Sequence, residues 1–228
     1  MRTRESGNVF FYIFVCIALL AALSFSVSQG SRSTVTNLTE DRQRLVATEI
    51  IAFGDIMGKT TSQLRLRGTT INQLSFASSG SSSFNDDPPN EVFNPAGGAV
   101  VYKNPPSEAQ ITSESYEFLA NNEIENIGST CGANTCADLI MIVPNIKKEV
   151  CLAINALLNI NNPGGNPPVD DDIDEDNLYE PGANPFNFAG TETLGDDDTE
   201  LSGKREACFA ETDEDPDEYI YYKVLMAR

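Results

Sequence analysis

Residues 138–158 read DLIMIVPNIKKEVCLAINALL, and this stretch predicts the two elements at the centre of the fold. The run Leu139 to Val143 is continuously apolar and is bounded by Asp138 and Pro144, which predicts a buried central strand. A helix is predicted to begin at Pro144–Asn145, because apolar residues recur beyond it at helical spacing. Those residues are Ile146, Val150, Ile154, Leu157 and Leu158. A buried strand joined to an amphipathic helix indicates an α+β domain.

Further strands and loops are predicted on both sides of this core. Short β-prone runs at residues 99–102 and 116–119, and the terminal run YIYYKVLM at 219–226, predict strands. Residues 77–90 are rich in Ser, Gly and Pro and indicate a loop. The insertion at residues 161–198, rich in Pro, Gly, Asn and Asp, is predicted to be mostly irregular. We expect the strands to form a small antiparallel sheet.

Two stretches before residue 68 predict helix. From Asn37 to Arg67 a set of apolar residues at a spacing of 3 or 4 defines one helical face, and Gly68 is suited to end the helix. The face consists of Val46, Ile50, Phe53, Met57 and Leu64. Residues 9–27, VFFYIFVCIALLAALSFSV, run for 19 positions without a charge. At 1.5 Å per residue, such a run matches a hydrocarbon core of about 30 Å.

The uncharged run has three interpretations: a cleaved secretory signal, a plain signal anchor, or a pilin-type leader followed by an apolar helix. Cleaved signals have a shorter apolar stretch and a small-residue cleavage site, which fits SFSVSQG poorly. Arg2 and Arg4 precede the run, so the N-terminus is expected in the cytoplasm and the rest outside. We therefore expect a single-pass protein of the cytoplasmic membrane, with its head in the periplasm or on the cell surface.

The predicted fold is α+β, with a long N-terminal helix that spans the membrane in its first half and packs on a small antiparallel sheet. A second helix and disulfides complete it. The predicted parts are a leader at 1–7, a transmembrane helix at 8–30, the outer part of that helix at 31–68 and an acidic head at 69–228.

The start of the chain resembles the class III leader of type IV prepilins and pseudopilins. RESG at residues 4–7 is followed by Asn8 and then by the apolar run, and in that family a dedicated peptidase cuts after the glycine. The resemblance implies a cut between Gly7 and Asn8. FNPAGGAVVY, DLIMIVPNIKKEVCLAIN and YYKVLMAR are also similar to segments of pilin-like proteins of proteobacteria.

Composition argues against an enzyme and against nucleic-acid binding. The chain contains no histidine, which removes the usual general base, Ser/Cys–His arrangements and most zinc chemistry. Residues 1–67 hold 8 Lys/Arg against 5 Asp/Glu and residues 68–228 hold 7 against 29, so charges of +3 and −22 give the net −19. A head this acidic repels phosphate backbones.

Four cysteines lie beyond the apolar run, and an even set after an export signal predicts two disulfides. They are Cys131, Cys136, Cys151 and Cys208. Three pairings are open, and we favour Cys131–Cys136 with Cys151–Cys208.

Four aspartates alternate within the insertion, and oxygen-rich runs of this kind can bind Ca²⁺. They are Asp170, Asp172, Asp174 and Asp176. The run does not fit an EF-hand, because Glu175 and Pro181 stand where glycine and glutamate are required. A solvated acidic loop is the alternative to a calcium site.

The sequence thus predicts a pilin-like structural subunit of a type IV pilus or type II secretion-like filament that assembles through its apolar N-terminal helix. Its expected partners are the cytoplasmic membrane, a prepilin peptidase, and itself or other pilin-like subunits. The alternative is a membrane-anchored periplasmic or cell-surface protein that binds a ligand or Ca²⁺ without forming a filament.

Overall fold

The computed structural model describes residues 8–128, 137–171, 173, 175, 178–182, 192–212 and 218–228; within the first helix it describes side chains at 11–21 and from 39 onward. The chain divides into two compact units, Met1–Arg42 and Gln43–Arg228. The helices are α1 (Asn8–Leu66) and α2 (Lys148–Leu158), with 3₁₀ turns at Pro88–Asn90 and Pro163–Gly165. The strands are β1 (Glu117–Ile124), β2 (Asp138–Val143), β3 (Glu192–Leu194), β4 (Glu206–Glu211) and β5 (Glu218–Met226).

The five strands form one mixed sheet in the order β3-β1-β2-β5-β4. β2 is central and buried at every position, as expected for its apolar run. It pairs antiparallel with β1 and β5, and β5 pairs antiparallel with β4. β3 lies parallel to β1, so the prediction of an antiparallel sheet is wrong. A parallel pair needs a crossover of a dozen or more residues, and the chain between β1 and β3 is far longer.

One face of the sheet, here called the helix face, is covered by α1 and α2. The apolar face predicted from Val46 to Leu64 is buried there, with Ile50 and Met57 fully inaccessible. Side chains alternate between the two faces of a strand. In β5 this alternation sends Tyr221 and Leu225 into the core of the helix face.

The opposite face, here called the insertion face, is covered by residues that follow α2. Ile160, Leu194 and Leu201 share an apolar core there with Tyr222 and Val224 of β5. The insertion at residues 161–198, predicted to be mostly irregular, therefore contributes β3 and the core residue Leu194.

The helix ends follow from local backbone geometry. α1 ends where Gly68 takes a φ of 103°, and the Thr69 N–H then donates to the Leu64 carbonyl at 3.1 Å. α2 begins later than predicted, because Asn145 is left-handed (φ 56°) and Ile146 forms a bridge to Gln110.

The strand predicted at residues 99–102 does not form. Its neighbourhood is a set of turns built around the buried side chain of Glu91. The Glu91 carboxylate accepts hydrogen bonds from the backbone N–H groups of Asn85 and Asp87 and from the Asn94 amide. Such side-chain bonds offer the backbone an alternative to a strand ladder.

The prediction of a membrane-spanning helix is wrong for the residues that the structure describes. A spanning helix needs about 20 consecutive, predominantly apolar residues. No helix in the described part of the chain is both long enough and apolar enough to cross a bilayer. The predicted fold class and the predicted single-pass location are corrected accordingly.

Candidate functional site

The first candidate site is the stretch of α1 from Phe11 to Ala21, here called the apolar segment. Every residue in it is exposed, and the segment contains no charged side chain. Its large side chains expose between 39% and 71% of their surface; they are Phe11, Tyr12, Ile13, Phe14, Val15, Ile17, Leu19 and Leu20. Contiguous exposed apolar surface of this kind marks sites of protein–protein or membrane interaction.

The predicted processing site lies just before the apolar segment. Asn8 is the first residue of α1, whereas Gly7 lies outside the described residues. The apolar segment includes Cys16, whose thiol is free and exposed. The cut between Gly7 and Asn8 stays a prediction.

The unit Gln43–Arg228 is called the head from here on. In it, Cys151 of α2 is bonded to Cys208 of β4, as predicted from the sequence. Both residues are fully buried. Asn155, one turn along α2, reinforces the junction: its side chain donates to the Cys208 carbonyl at 2.7 Å and accepts from the Cys208 N–H at 2.9 Å. Cys131 and Cys136 lie outside the described residues.

The predicted calcium run is described only in part. Asp170 is fully buried, and its carboxylate accepts the backbone N–H of Gly195 at 2.7 Å. Asp172, Asp174 and Asp176 lie outside the described residues. Within the part of the chain that is described, no group of three His, Cys, Asp or Glu side chains could hold a metal ion. The Asp170 side chain therefore joins two parts of the insertion, and the calcium site stays a prediction.

Two carboxyl groups of the head have raised pKa values. Burial, together with the nearby charges of Glu218 and Glu117, raises the pKa of Glu175 to about 8. Burial also raises the pKa of Asp138 to about 6, although it accepts the N–H groups of Arg228 and Ile124. Each of these carboxyls holds a proton more tightly than it would in water.

No protein-family model matches the chain, and no curated protein or solved structure matches it either. The site must therefore be interpreted from its own chemistry. The described residues provide the exposed apolar segment of α1 and a disulfide-linked head.

Sequence reasoning missed a charged cluster between α1 and the sheet. Lys223 of β5 contacts Asp55 of α1 at 2.8 Å and also pairs with Glu206 of β4. Burial lowers the pKa of Lys223, but its hydrogen bonds to the two carboxylates outweigh that effect and raise it overall. The available signal was the alternation in YIYYKVLM, which places Lys223 on the same face as Tyr221 and Leu225. A charge on a buried face needs a partner.

Gly54 allows α1 to lie close to this cluster. A Cβ added there would come within 2.5 Å of the Tyr221 hydroxyl oxygen, and that hydroxyl donates to Glu206 at 2.6 Å. The glycine therefore leaves room for the polar contact that joins Tyr221 to Glu206 beneath the helix.

Proposed function

We propose that this protein is a pilin-like structural subunit of a type IV pilus or type II secretion-like filament, and that it assembles through the apolar segment. The observation that carries the proposal is the exposure of large apolar side chains at residues 11–21. Burying one side chain of this type contributes about 1.5–3 kcal/mol. An exposed row of eight therefore favours association strongly, even after the entropy lost on binding.

The distribution of these side chains around the helix favours several neighbours over one. Successive residues of a helix are rotated by about 100°, so the consecutive residues Phe11 to Val15 surround the whole circumference. A helix that is apolar all round is buried on all sides in its functional state. A dimer covers only one side, whereas lateral packing among several copies covers all of them.

The head supports a structural role for a different reason. Its described core is closed by the Cys151–Cys208 disulfide and by the pairing of Lys223 with Asp55 and Glu206. We propose that the head is a stable, non-catalytic module. We also propose that a prepilin-type peptidase removes residues 1–7 before assembly, which leaves Asn8 as the first residue.

The proposal is tested by introducing charge into the apolar segment. We expect the wild-type chain to form large assemblies in sedimentation velocity and electron microscopy, and we expect Phe14→Glu/Leu20→Glu to lower association by about tenfold or more. The matched control is Val101→Glu/Ile111→Glu, because these head residues are also exposed, at 84% and 66%. Equal association of the wild type and the Phe14→Glu/Leu20→Glu variant would overturn the proposal.

Processing is tested by the mass and N-terminal sequence of the protein purified from its native host. A chain that begins at Asn8 supports the proposed cut. A chain that begins at Met1 contradicts processing. A chain that begins near Ser28 lacks the apolar segment and contradicts the assembly proposal itself.

A further inference from the structure

The helix face of the head carries a groove beside the C-terminal part of α1. It consists of two adjoining cavities of about 670 and 400 Å³, which share Ser62 of α1 and Leu225 of β5. Leu225 and Met226 are buried beneath it, and Leu66 at its edge is 89% exposed. The groove thus combines an apolar floor with access from solvent.

Cations surround this groove, here called the cationic groove. Lys59 and Arg205 line one cavity and Arg65 lines the other, and all three are exposed. Among the described residues, neither Arg65 nor Arg205 forms a salt bridge. Asp55 lines the same groove, where it pairs with Lys223 and interacts with the charge of Lys59. Residues 56–85, which follow it, contain no Asp or Glu. In a chain with 34 acidic and 15 basic residues, two exposed arginines at one groove that form no salt bridge with a described residue indicate an anionic partner from outside.

A matching acidic surface lies on the same chain. It consists of Asp171, Asp196, Asp197, Asp198 and Glu200, here called the acidic patch. Asp171, Asp196 and Asp197 are exposed. A hydrogen bond between the carboxyls of Asp197 and Asp171, together with the charge of Asp171, raises the pKa of Asp197. Carboxyls held this close repel each other when both are ionised, and a cation placed against them relieves that repulsion.

The groove and the patch belong to opposite faces of the sheet. Leu225, in the floor of the groove, belongs to the core of the helix face. The acidic patch borders Gly195 and Leu201, and Leu201 packs in the core of the insertion face. The Gly195 N–H donates to Asp170, so the two parts of the patch are held together. The cations of the groove therefore cannot pair with the acidic patch of the same molecule.

We propose that the cationic groove of one copy binds the acidic patch of a second copy. The inference rests on the proposed function, because it assumes a chain that assembles with itself. A contact between two different surfaces leaves a free groove at one end and a free patch at the other, so it propagates into an open chain of subunits. Two copies that each carry a net charge of −19 repel each other at long range, so the contact depends on the complementary local charges of groove and patch.

A charge swap tests the proposal on the full chain. Arg65→Glu/Arg205→Glu makes groove and patch both acidic. Asp171→Lys/Asp196→Lys/Asp197→Lys leaves three lysines against two carboxylates in the patch, so it makes groove and patch both basic. We expect each variant alone to self-associate about tenfold more weakly than the wild type, because like charges then meet. An equimolar mixture restores opposite charges at every contact, so we expect its association to return to about the wild-type level. Sedimentation velocity at low and high NaCl measures both effects, and salt weakens the wild-type contact.

The control for Arg65→Glu/Arg205→Glu is Arg44→Glu/Lys148→Glu. It makes the same change in net charge at positions that do not line the groove. Association that falls equally in this control, or that fails to recover on mixing, overturns the proposal. So does binding of a single-stranded oligonucleotide that is lost in Arg65→Glu/Arg205→Glu. Circular dichroism verifies that each variant is folded. Arg65→Gln/Arg205→Gln removes the charges without reversing them, so we expect it to weaken self-association less than Arg65→Glu/Arg205→Glu does.

The result also separates this inference from the proposed function. If assembly is unchanged by the charge swap but is lost in Phe14→Glu/Leu20→Glu, the groove contact is overturned and the proposed assembly through the apolar segment stands. Assembly that follows the charge swap but ignores the helix substitutions supports the groove contact and overturns assembly through the apolar segment. A wild-type chain that stays monomeric overturns both.

Discussion

α1 uses similar apolar residues in two opposite ways. Between Phe11 and Ala21 they are exposed, whereas in the part of α1 that belongs to the head, residues such as Ile50, Phe53 and Met57 are buried. The head buries its apolar residues because the sheet of the same unit offers a complementary surface. The apolar segment, in the other unit, stays exposed among the described residues. Residue type therefore sets how strongly a side chain favours burial. The surface available to cover it decides whether that burial occurs within one chain or between chains.

The largest expected effect comes from truncating one phenylalanine in each part. Phe53 is 2% exposed and lies 4.4 Å from the ring of Tyr116, whereas Phe11 is 64% exposed. We expect Phe53→Ala to lower the free energy of unfolding of the head by about 3–5 kcal/mol. We expect Phe11→Ala to change it by less than about 0.5 kcal/mol. Urea unfolding of the full chain under non-assembling conditions measures the free energy of unfolding of both variants. Equal losses in the two variants would contradict the difference between the two parts of α1.

The cysteines allow the same comparison with smaller changes. Cys151 and Cys208 close a loop with a sequence separation of 57, so we expect Cys151→Ala/Cys208→Ala to lower the free energy of unfolding by about 2–5 kcal/mol. Cys16 in the apolar segment is free and exposed, and Cys16→Ala should leave the unfolding of the head unchanged. A melting temperature of the double variant that matched the wild type would refute the stabilising role of this disulfide.

The smallest expected effect is a pH dependence confined to the head, because the apolar segment carries no carboxyl group. The pKa of Glu175 is about 8 in the folded protein and 4.5 ordinarily, so the folded state binds the proton more tightly. This contribution is fully present below about pH 4.5 and is lost as the pH rises to about 8. Allowing for partial solvent exposure, we expect the head to lose about 2 kcal/mol over that range.

The control for this prediction is a pair of glutamine substitutions. Glu175→Gln should flatten the upper part of the stability profile and leave the smaller slope below about pH 6 that Asp138 contributes in the same direction. Glu180→Gln removes an equal charge from an exposed position and should leave the profile as in the wild type. A profile unchanged by Glu175→Gln would show that another group titrates.

Much of the head was predictable, because its signals are local. The run Leu139 to Val143 is apolar and forms the central strand, and the spacing from Val46 to Leu64 marks a face that is buried. Each signal needs only the residues within one element. The membrane-spanning helix failed as a prediction even though its signal was also local, since no described helix meets the requirements for crossing a bilayer.

The amino-acid sequence alone shows which segments favour burial, which cysteines are able to pair, and that the head is acidic. Three features become visible only in the folded chain: the parallel pairing of β3, the use of Asp170 as a hydrogen-bond acceptor, and the position of Lys59, Arg65 and Arg205 around one groove. They depend on residues that lie far apart along the chain. Lys223 pairs with Asp55, which lies 168 positions away in the sequence. A local sequence pattern cannot predict which distant charges come together when a helix packs on a sheet.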